Sequence, residues 1–246
     1  MLIIKPYLFK QFPEIIFGFS TKIGKVEKAP YFFNMSYSVG DDKPFVDDNR
    51  KRFFKELGLN EKAISYQKQV HGDTIKEVEM CGNCGESDAL ITTQKNLGLA
   101  ISSADCPAIF IYDPFEKVIA AVHSGWRGTE KKILEKTIMQ LKENYKSDPS
   151  NLVCYIGPSI SQKNYEVGKE VASKFDDKFL IKSINKFYLD LAGANFQMLI
   201  NSGVNKNNIK VSVSCSFEYE NLLHSYRRDG LKSGRALGVI AMKEYL

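Results

Sequence analysis

The sequence has little imidazole and little indole: three histidines and one tryptophan in 246 residues. Coupled multicopper centres are built largely from imidazoles, so a chain with only His71, His123 and His224 cannot assemble one by itself. Long apolar runs are also missing. The N-terminal stretch MLIIKPYLFKQFPEIIFGFS is apolar in places, but Lys5, Pro6, Lys10 and Pro13 break any signal-peptide core, and no window approaches a membrane span. A soluble, cytoplasmic protein with no membrane partner is expected. No block of like charge exceeds a pair or triplet, and the formal net charge of +5 is spread along the chain. A nucleic-acid partner is therefore not indicated, while anionic small molecules suit the balance. The five cysteines are odd in number and lack a secretory context, which argues for reduced thiols over a disulfide framework. With no internal repeat, low-complexity tract or long linker, one domain over 1–246 is expected; the oligomeric state is not legible.

What is present is ordinary globular composition, 43% hydrophobic and 26% charged. FGFS (17–20) reads as a strand end. DDNRKRFFKELGL (47–59) predicts an Asp-capped helix with Phe53, Phe54 and Leu57 on one side and Gly58 as its stop. Short β-rich runs follow at 64–70, 75–79, 89–92 and 97–103. TEKKILEKTIMQLKENY (129–145) predicts one helix with Thr129 as N-cap and Ile133, Leu134, Ile138 and Leu141 on its apolar side. LVCYIG (152–157) reads as a buried strand, GKEVASKF (168–175) and DLAGANFQMLINSG (190–203) as helices, and IKVSVS and ALGVIAM as strands. Strands with interspersed helices, several joined by hairpins, define an α/β protein with mixed sheets.

The chemistry gathers in ADCPAIFIYDPFEKVIAAVHSGWRGT (104–129). AIFIY and KVIAAV predict a hairpin about the loop DPFE with Tyr112 facing Lys117. That register sets Cys106 opposite His123, with Cβ atoms about 4.5–5.5 Å apart, and Pro107 is tolerated at a strand start. A third candidate is His71 in YQKQVHGDT, at the end of a strand-like run where Gly72 marks a turn. Two histidines and a cysteine leave a fourth zinc position open, the arrangement of a catalytic rather than a structural site. The spacing matches no short metal motif. A buried cysteine packing as a small hydrophobe beside two satisfied histidines is the competing reading, and both stay open on these residues.

The segments QVHGD (69–73), SDAL (87–90), ADCPAIFIYD (104–113), AAVHSGWRGT (120–129), YIGPSIS with NYEVG (155–168), and SYRRDG with SGR (225–235) are similar to the signature segments of the laccase-domain family. This YfiH or multicopper polyphenol oxidase-like family is associated with purine nucleoside phosphorylase activity. The resemblance runs from FGFSTKIG to the C-terminus and implies a YfiH-like layered α/β sandwich with mixed sheets. It further implies that His71, Cys106 and His123 bind zinc, with copper as the alternative metal, and form the catalytic centre. The implied partners are phosphate and purine nucleosides: phosphorolysis of adenosine, inosine and S-methyl-5′-thioadenosine, with deamination of adenosine. Lys22 stands where an arginine is usual, Gly24 is single where a Gly-Gly pair is usual, and His224 replaces an aromatic or small residue.

Further roles follow for such chemistry. Asp105 or Asp73, each beside a candidate ligand, is expected to move the proton, a turn or supporting carboxylate being the alternative for each. AAVH leads through SGWRG into a helix N-terminus that would suit an anion, with Arg127 adding a bidentate contact to phosphate; Arg227 and Arg228 are the second pair considered. Tyr165 is expected to line the pocket, and Trp126 to stack on a base or to pack in the core. Cys81 and Cys84 in CGNC lack a second CxxC and read as a hairpin tip with two incidental thiols. Two other activities fit the residues less directly: a Cys106–His123 thiol hydrolase acting on an amide of a peptidoglycan precursor, and a single-metal polyphenol oxidase.

Overall fold

In the computed structural model, which describes residues 1–24 and 28–244, two six-stranded mixed sheets face one another with helices on both outer sides. Lys25, Val26 and Glu27 of the N-terminal segment, and the last two residues of the 1–246 span, lie outside the described residues. The first sheet runs Ile3–Ile4, Ile15–Ser20, Ala236–Met242, Gly98–Ser103, Ile64–Lys68, Gly82–Glu86. The second runs Ile209–Val211, Val153–Ile156, Ala108–Asp113, Val118–His123, Ala89–Thr92, Ile75–Glu77. A small third sheet joins Glu166–Val167, Lys186–Leu189 and Leu180–Ser183.

The two central strands of the second sheet, Ala108–Asp113 and Val118–His123, are buried along their whole length. Both faces are covered, which is why they read as continuous apolar runs rather than alternating ones. One face carries Phe110, Tyr112, Ile119 and Ala121 against Phe17, Phe19, Leu99 and Ile101 of the first sheet. The other carries Ile109, Ile111, Ala120 and Val122 against the helix Ile133–Tyr145. On the far side, Phe53, Phe54 and Leu57 of the helix Lys43–Leu57 cover Ala100, Leu237 and Val239. Each fully buried Val, Leu, Ile or Phe among them contributes about 1.5–3 kcal/mol from removed apolar area. No helix among the described residues is long and apolar enough to cross a membrane.

Several boundaries differ from the sequence expectation for local reasons. The helix expected at 47 starts at Lys43, because Pro44 is accommodated in the first turn; it stops at Gly58, left-handed at φ 70° as expected. The helix expected at 168–175 covers only Lys169–Ala172. The single helix expected over 129–145 is two, Trp126–Glu130 and Ile133–Tyr145, with Lys132 left-handed at φ 62° between them. Thr129 is no N-cap: its buried hydroxyl donates to Gly125 O (3.0 Å) and receives the Asn195 amide (3.1 Å), drawing the first turn back onto the 124–125 loop. CGNC is not a hairpin tip. Gly82–Glu86 is an edge strand parallel to Ile64–Lys68, with Cys81 exposed and Cys84 packed against the core.

The central hairpin forms in a register shifted by two. Its ladder runs from Asp113 opposite Val118 to Ala108 opposite His123, so Cys106 lies beyond it. The cause is the loop: Asp113 Oδ1 accepts the amides of Phe115 (2.9 Å) and Glu116 (3.2 Å), and Lys117 turns left-handed at φ 52°. This moves the turn to Pro114–Lys117. A two-residue slip preserves the side-chain face, so Cys106 stays on the side of His123.

Candidate metal centre

His123 ends its strand at 3% exposure, its ring held by Asp88, the fully buried residue before Ala89–Thr92. His123 Nδ1 lies 2.8 Å from Asp88 Oδ1, and the His123 amide donates to the Asp88 carbonyl at 2.7 Å. The same carboxylate accepts the amides of Val70 (3.2 Å), His71 (3.0 Å) and Gly72 (2.7 Å). One buried anion thus fixes both histidines, His123 through its ring and His71 through its backbone, which is left-handed at φ 58°. The two rings meet edge to face at 4.8 Å between centroids. Cys106 arrives from the Asp105 turn, left-handed at φ 92°. The ligand atoms of His71, Cys106 and His123 all lie within 4.8 Å of one another.

Asp88 occupies Nδ1 of His123 and leaves Nε2 for the cluster. Burial alone would raise the Cys106 thiol, but its contacts with His123 and His71 bring it down to about 6. Burial would lower His123, yet Asp88 and Cys106 raise it to about 9. Without metal the pair is a thiolate beside an imidazolium. Iodoacetamide should accordingly modify Cys106 of the metal-free protein with an apparent midpoint near pH 6. A midpoint at the ordinary thiol value of about 8.5 in the pH–rate profile contradicts the pairing.

The donor set fits a borderline-soft cation: two imidazoles and a thiolate, with room for a further ligand. Gly125 keeps that room. A side chain there would place its Cβ 3.1 Å from Cys106 Sγ, 3.2 Å from His71 Cδ2 and 3.7 Å from His123 Cε1, filling the space beside the ligands. His224 is outside this cluster: it is buried against Gly234, and burial lowers it to about 3.

The remaining sequence-predicted residues divide. Tyr165 borders the centre, for its hydroxyl, raised by burial, is acted on by the charges of Cys106, Arg227, Asp105 and Arg127. The Arg227 guanidinium lies 5.0 Å from the Tyr165 ring centre, and Arg127 lies 4.2 Å over Trp126, which packs against the small apolar cluster that includes Tyr165. Both arginines are exposed. The helix carrying Arg127 is only five residues long and offers little macrodipole. Asp105 has both oxygens engaged, accepting the Ser216 hydroxyl (2.6 Å) and the Arg227 amide (2.7 Å). Asp73 is paired with Lys136 at 2.6 Å. Arg228 is structural, paired with Asp229 at 2.7 Å and donating to the carbonyls of Ser216, Phe217 and Leu223. Beside Arg227 a cleft of about 690 Å³ opens, lined also by Val167, Lys169, Asn185 and Phe187.

Sequence reasoning left Asp88, Gly125 and Arg235 without roles. All three stand in segments that carry the family resemblance, SDAL, SGWRG and SGR, but their partners are distant in the chain.

A fold of two mixed sheets with a Cys-His-His cluster at the end of a central strand defines a class of candidate metal-dependent proteins. The chain belongs to the multi-copper polyphenol oxidoreductase laccase family, whose model matches residues 16–243. It is 35% identical to a purine nucleoside phosphorylase of Deinococcus radiodurans, over 92% of this chain and 88% of that protein. It is 31% identical to the purine nucleoside phosphorylase YlmD of Bacillus subtilis, over 94% and 90%. Among solved structures, the Bacillus licheniformis hypothetical protein YfiH superposes with a TM-score of 0.90 at 28% identity, covering 96% of this chain and 94% of that one. YlmD of Geobacillus stearothermophilus gives 0.88 at 29%, covering 95% and 93%.

Proposed function

We propose that the protein is a zinc-dependent purine nucleoside phosphorylase that cleaves adenosine, inosine and S-methyl-5′-thioadenosine, and that it also deaminates adenosine. The observation that carries this reading is the convergence of His71, Cys106 and His123 in front of buried Asp88, with Gly125 keeping the space beside them open. The relatives named purine nucleoside phosphorylase supply the reaction class. Zinc held by the three side chains would supply Lewis acidity in a partly desolvated site.

The protein's own groups then have defined tasks. Asp88 Oδ1 holds the Nδ1 proton of His123 and so keeps the ring turned toward the cluster. Tyr165 forms an aromatic wall for the nucleoside, and Arg127 and Arg227 put positive charge where phosphate approaches. In phosphorolysis a phosphate oxygen bonds to C1′ as the N-glycosidic bond breaks; the bonding pair leaves on the purine, which takes up a proton. Asp105, bonded through both oxygens, acts by holding Arg227.

Incubation with adenosine, with and without phosphate and before and after chelation, tests the reading. Adenine and ribose 1-phosphate are expected only with phosphate, inosine in either case, and both activities should vanish on chelation and return with zinc. Nucleoside left intact under all conditions, with amide cleavage that survives chelation, would transfer the assignment to a Cys106 thiol hydrolase.

A further inference from the structure

Arg235 sits beside the cluster without an assigned role. The ladder that pairs Ala236 with Ser103 carries Arg235 alongside Ala104, two residues from Cys106. Its backbone is fixed on both sides: the amide donates to Asn34 Oδ1 (2.9 Å), and the carbonyl accepts the Met35 amide (3.0 Å). Asn34 is itself fully buried and tied to Ser36 O (2.8 Å) and Asp41 Oδ2 (3.0 Å). Gly234 permits the close packing, since a Cβ there would lie 2.6 Å from the Tyr31 carbonyl.

The side chain is equally constrained. One terminal nitrogen donates to Ser233 O (2.8 Å) and Gly234 O (3.0 Å), and the guanidinium lies 5.3 Å from the Tyr226 ring centre. Among the described residues no carboxylate pairs with it, and its Nε–H and other terminal nitrogen have no partner. Arg228, about as deep, satisfies its charge with both oxygens of Asp229. Burial disfavours its charge, while the charges of Asp105 and Cys106 act on it from a distance; a half-buried guanidinium with no bonded counter-ion is costly unless an anion arrives from outside. The free N–H groups retain the planar fork that matches a tetrahedral oxyanion. Arg127 and Arg227 are exposed, where water weakens their attraction.

We propose that Arg235 is the principal binding residue for inorganic phosphate beside the His71–Cys106–His123 centre. This assignment rests on the phosphorylase reading and deepens it.

The test compares wild type with Arg235→Gln, Arg235→Lys and Arg127→Gln, measuring steady-state adenosine phosphorolysis and, separately, calorimetric binding of inorganic phosphate to the zinc-loaded protein. Arg235→Gln should raise the phosphate KM about tenfold or more and leave the adenosine KM within about twofold. Lysine, which keeps charge but loses the fork, should recover part of the loss, and Arg127→Gln should cost less. An unchanged phosphate KM, a larger effect at Arg127, or a fall in kcat alone with no lysine rescue would overturn the assignment. If wild type binds phosphate but cleaves no nucleoside, the phosphorylase reading fails. Loss of that binding in Arg235→Gln would then still assign the anion contact to Arg235. Wild type that binds no phosphate refutes both.

Discussion

Replacing His71, Cys106 or His123 by alanine is expected to remove the bound metal and to lower nucleoside cleavage about a thousandfold or more. The size follows from Lewis-acid stabilisation of several kcal/mol, with a factor of ten for about every 1.4 kcal/mol. Three ligands with an open fourth position have no redundancy, so each loss is expected to be nearly complete. The fold should survive: His71 is exposed, Cys106 is partly buried beyond the strand ladder, and only His123 is fully buried. Elemental analysis of chelator-free preparations should find about one zinc per wild-type chain and next to none in the variants. A Cys81, Cys84 double variant should keep its zinc, because Cys84 lies on the edge strand Gly82–Glu86 and Cys81 just before it, apart from the cluster. Stoichiometric zinc in Cys106→Ala, or a metal-free wild type, would refute the metal centre.

Asp88 should produce the second largest effect, separable into metal affinity and stability. Asn at 88 keeps an acceptor but no charge, and its amide must face donors that now bond carboxylate oxygens: the amides of residues 70–72 and His123 Nδ1. Weaker orientation of a ligating histidine costs about 10–100-fold in metal affinity, measurable by competition with a chromogenic chelator. Alanine at 88 also strands the buried His123 Nδ1–H and the part-buried amides of residues 70–72, groups worth about 1–3 kcal/mol each when buried, so a destabilisation of about 3–5 kcal/mol is expected. Burial works to raise the Asp88 carboxyl, and His123 with the Gly72 and Val70 amides outweighs it, leaving it below its ordinary value. A carboxyl depressed in the folded state contributes stability that is complete above its unfolded pKa and lost as pH falls through the folded one. Wild type should therefore lose more stability on acidification than Asp88→Asn in parallel urea titrations. Metal affinity in Asp88→Asn equal to wild type would show that His123 needs no carboxylate behind it.

Local signals reached as far as the elements and the neighbourhood of the candidate ligands. Continuous apolar runs identified the strands around 108–113 and 118–123, the spacing of Phe53, Phe54 and Leu57 identified a helix face, and Gly58 marked its end. These follow from steric and hydrophobic preferences that act within a few residues. Hairpin parity was legible too, because a slip of two leaves the face unchanged; the register was not, since it depended on Asp113 capturing two loop amides. Thr129 had the residue type of a cap, but Ser124, Gly125 and Asn195 compete for its hydroxyl, and Asn195 is 66 residues away.

The sequence by itself held too few imidazoles for a coupled copper cluster, and it offered Cys106, His71 and His123 as candidate ligands beside a competing reading of buried, satisfied side chains. Only the tertiary structure decided which groups serve them. Asp88 joins residues 70–72 to 123, Asp105 joins 216 to 227, and Asn34 holds 235 across 201 positions. The physical reason is the same in each case. A carboxylate or amide taken out of water is costly unless it is hydrogen-bonded, and its partners are whatever the sheets bring within about 3 Å, however far apart they stand in the chain.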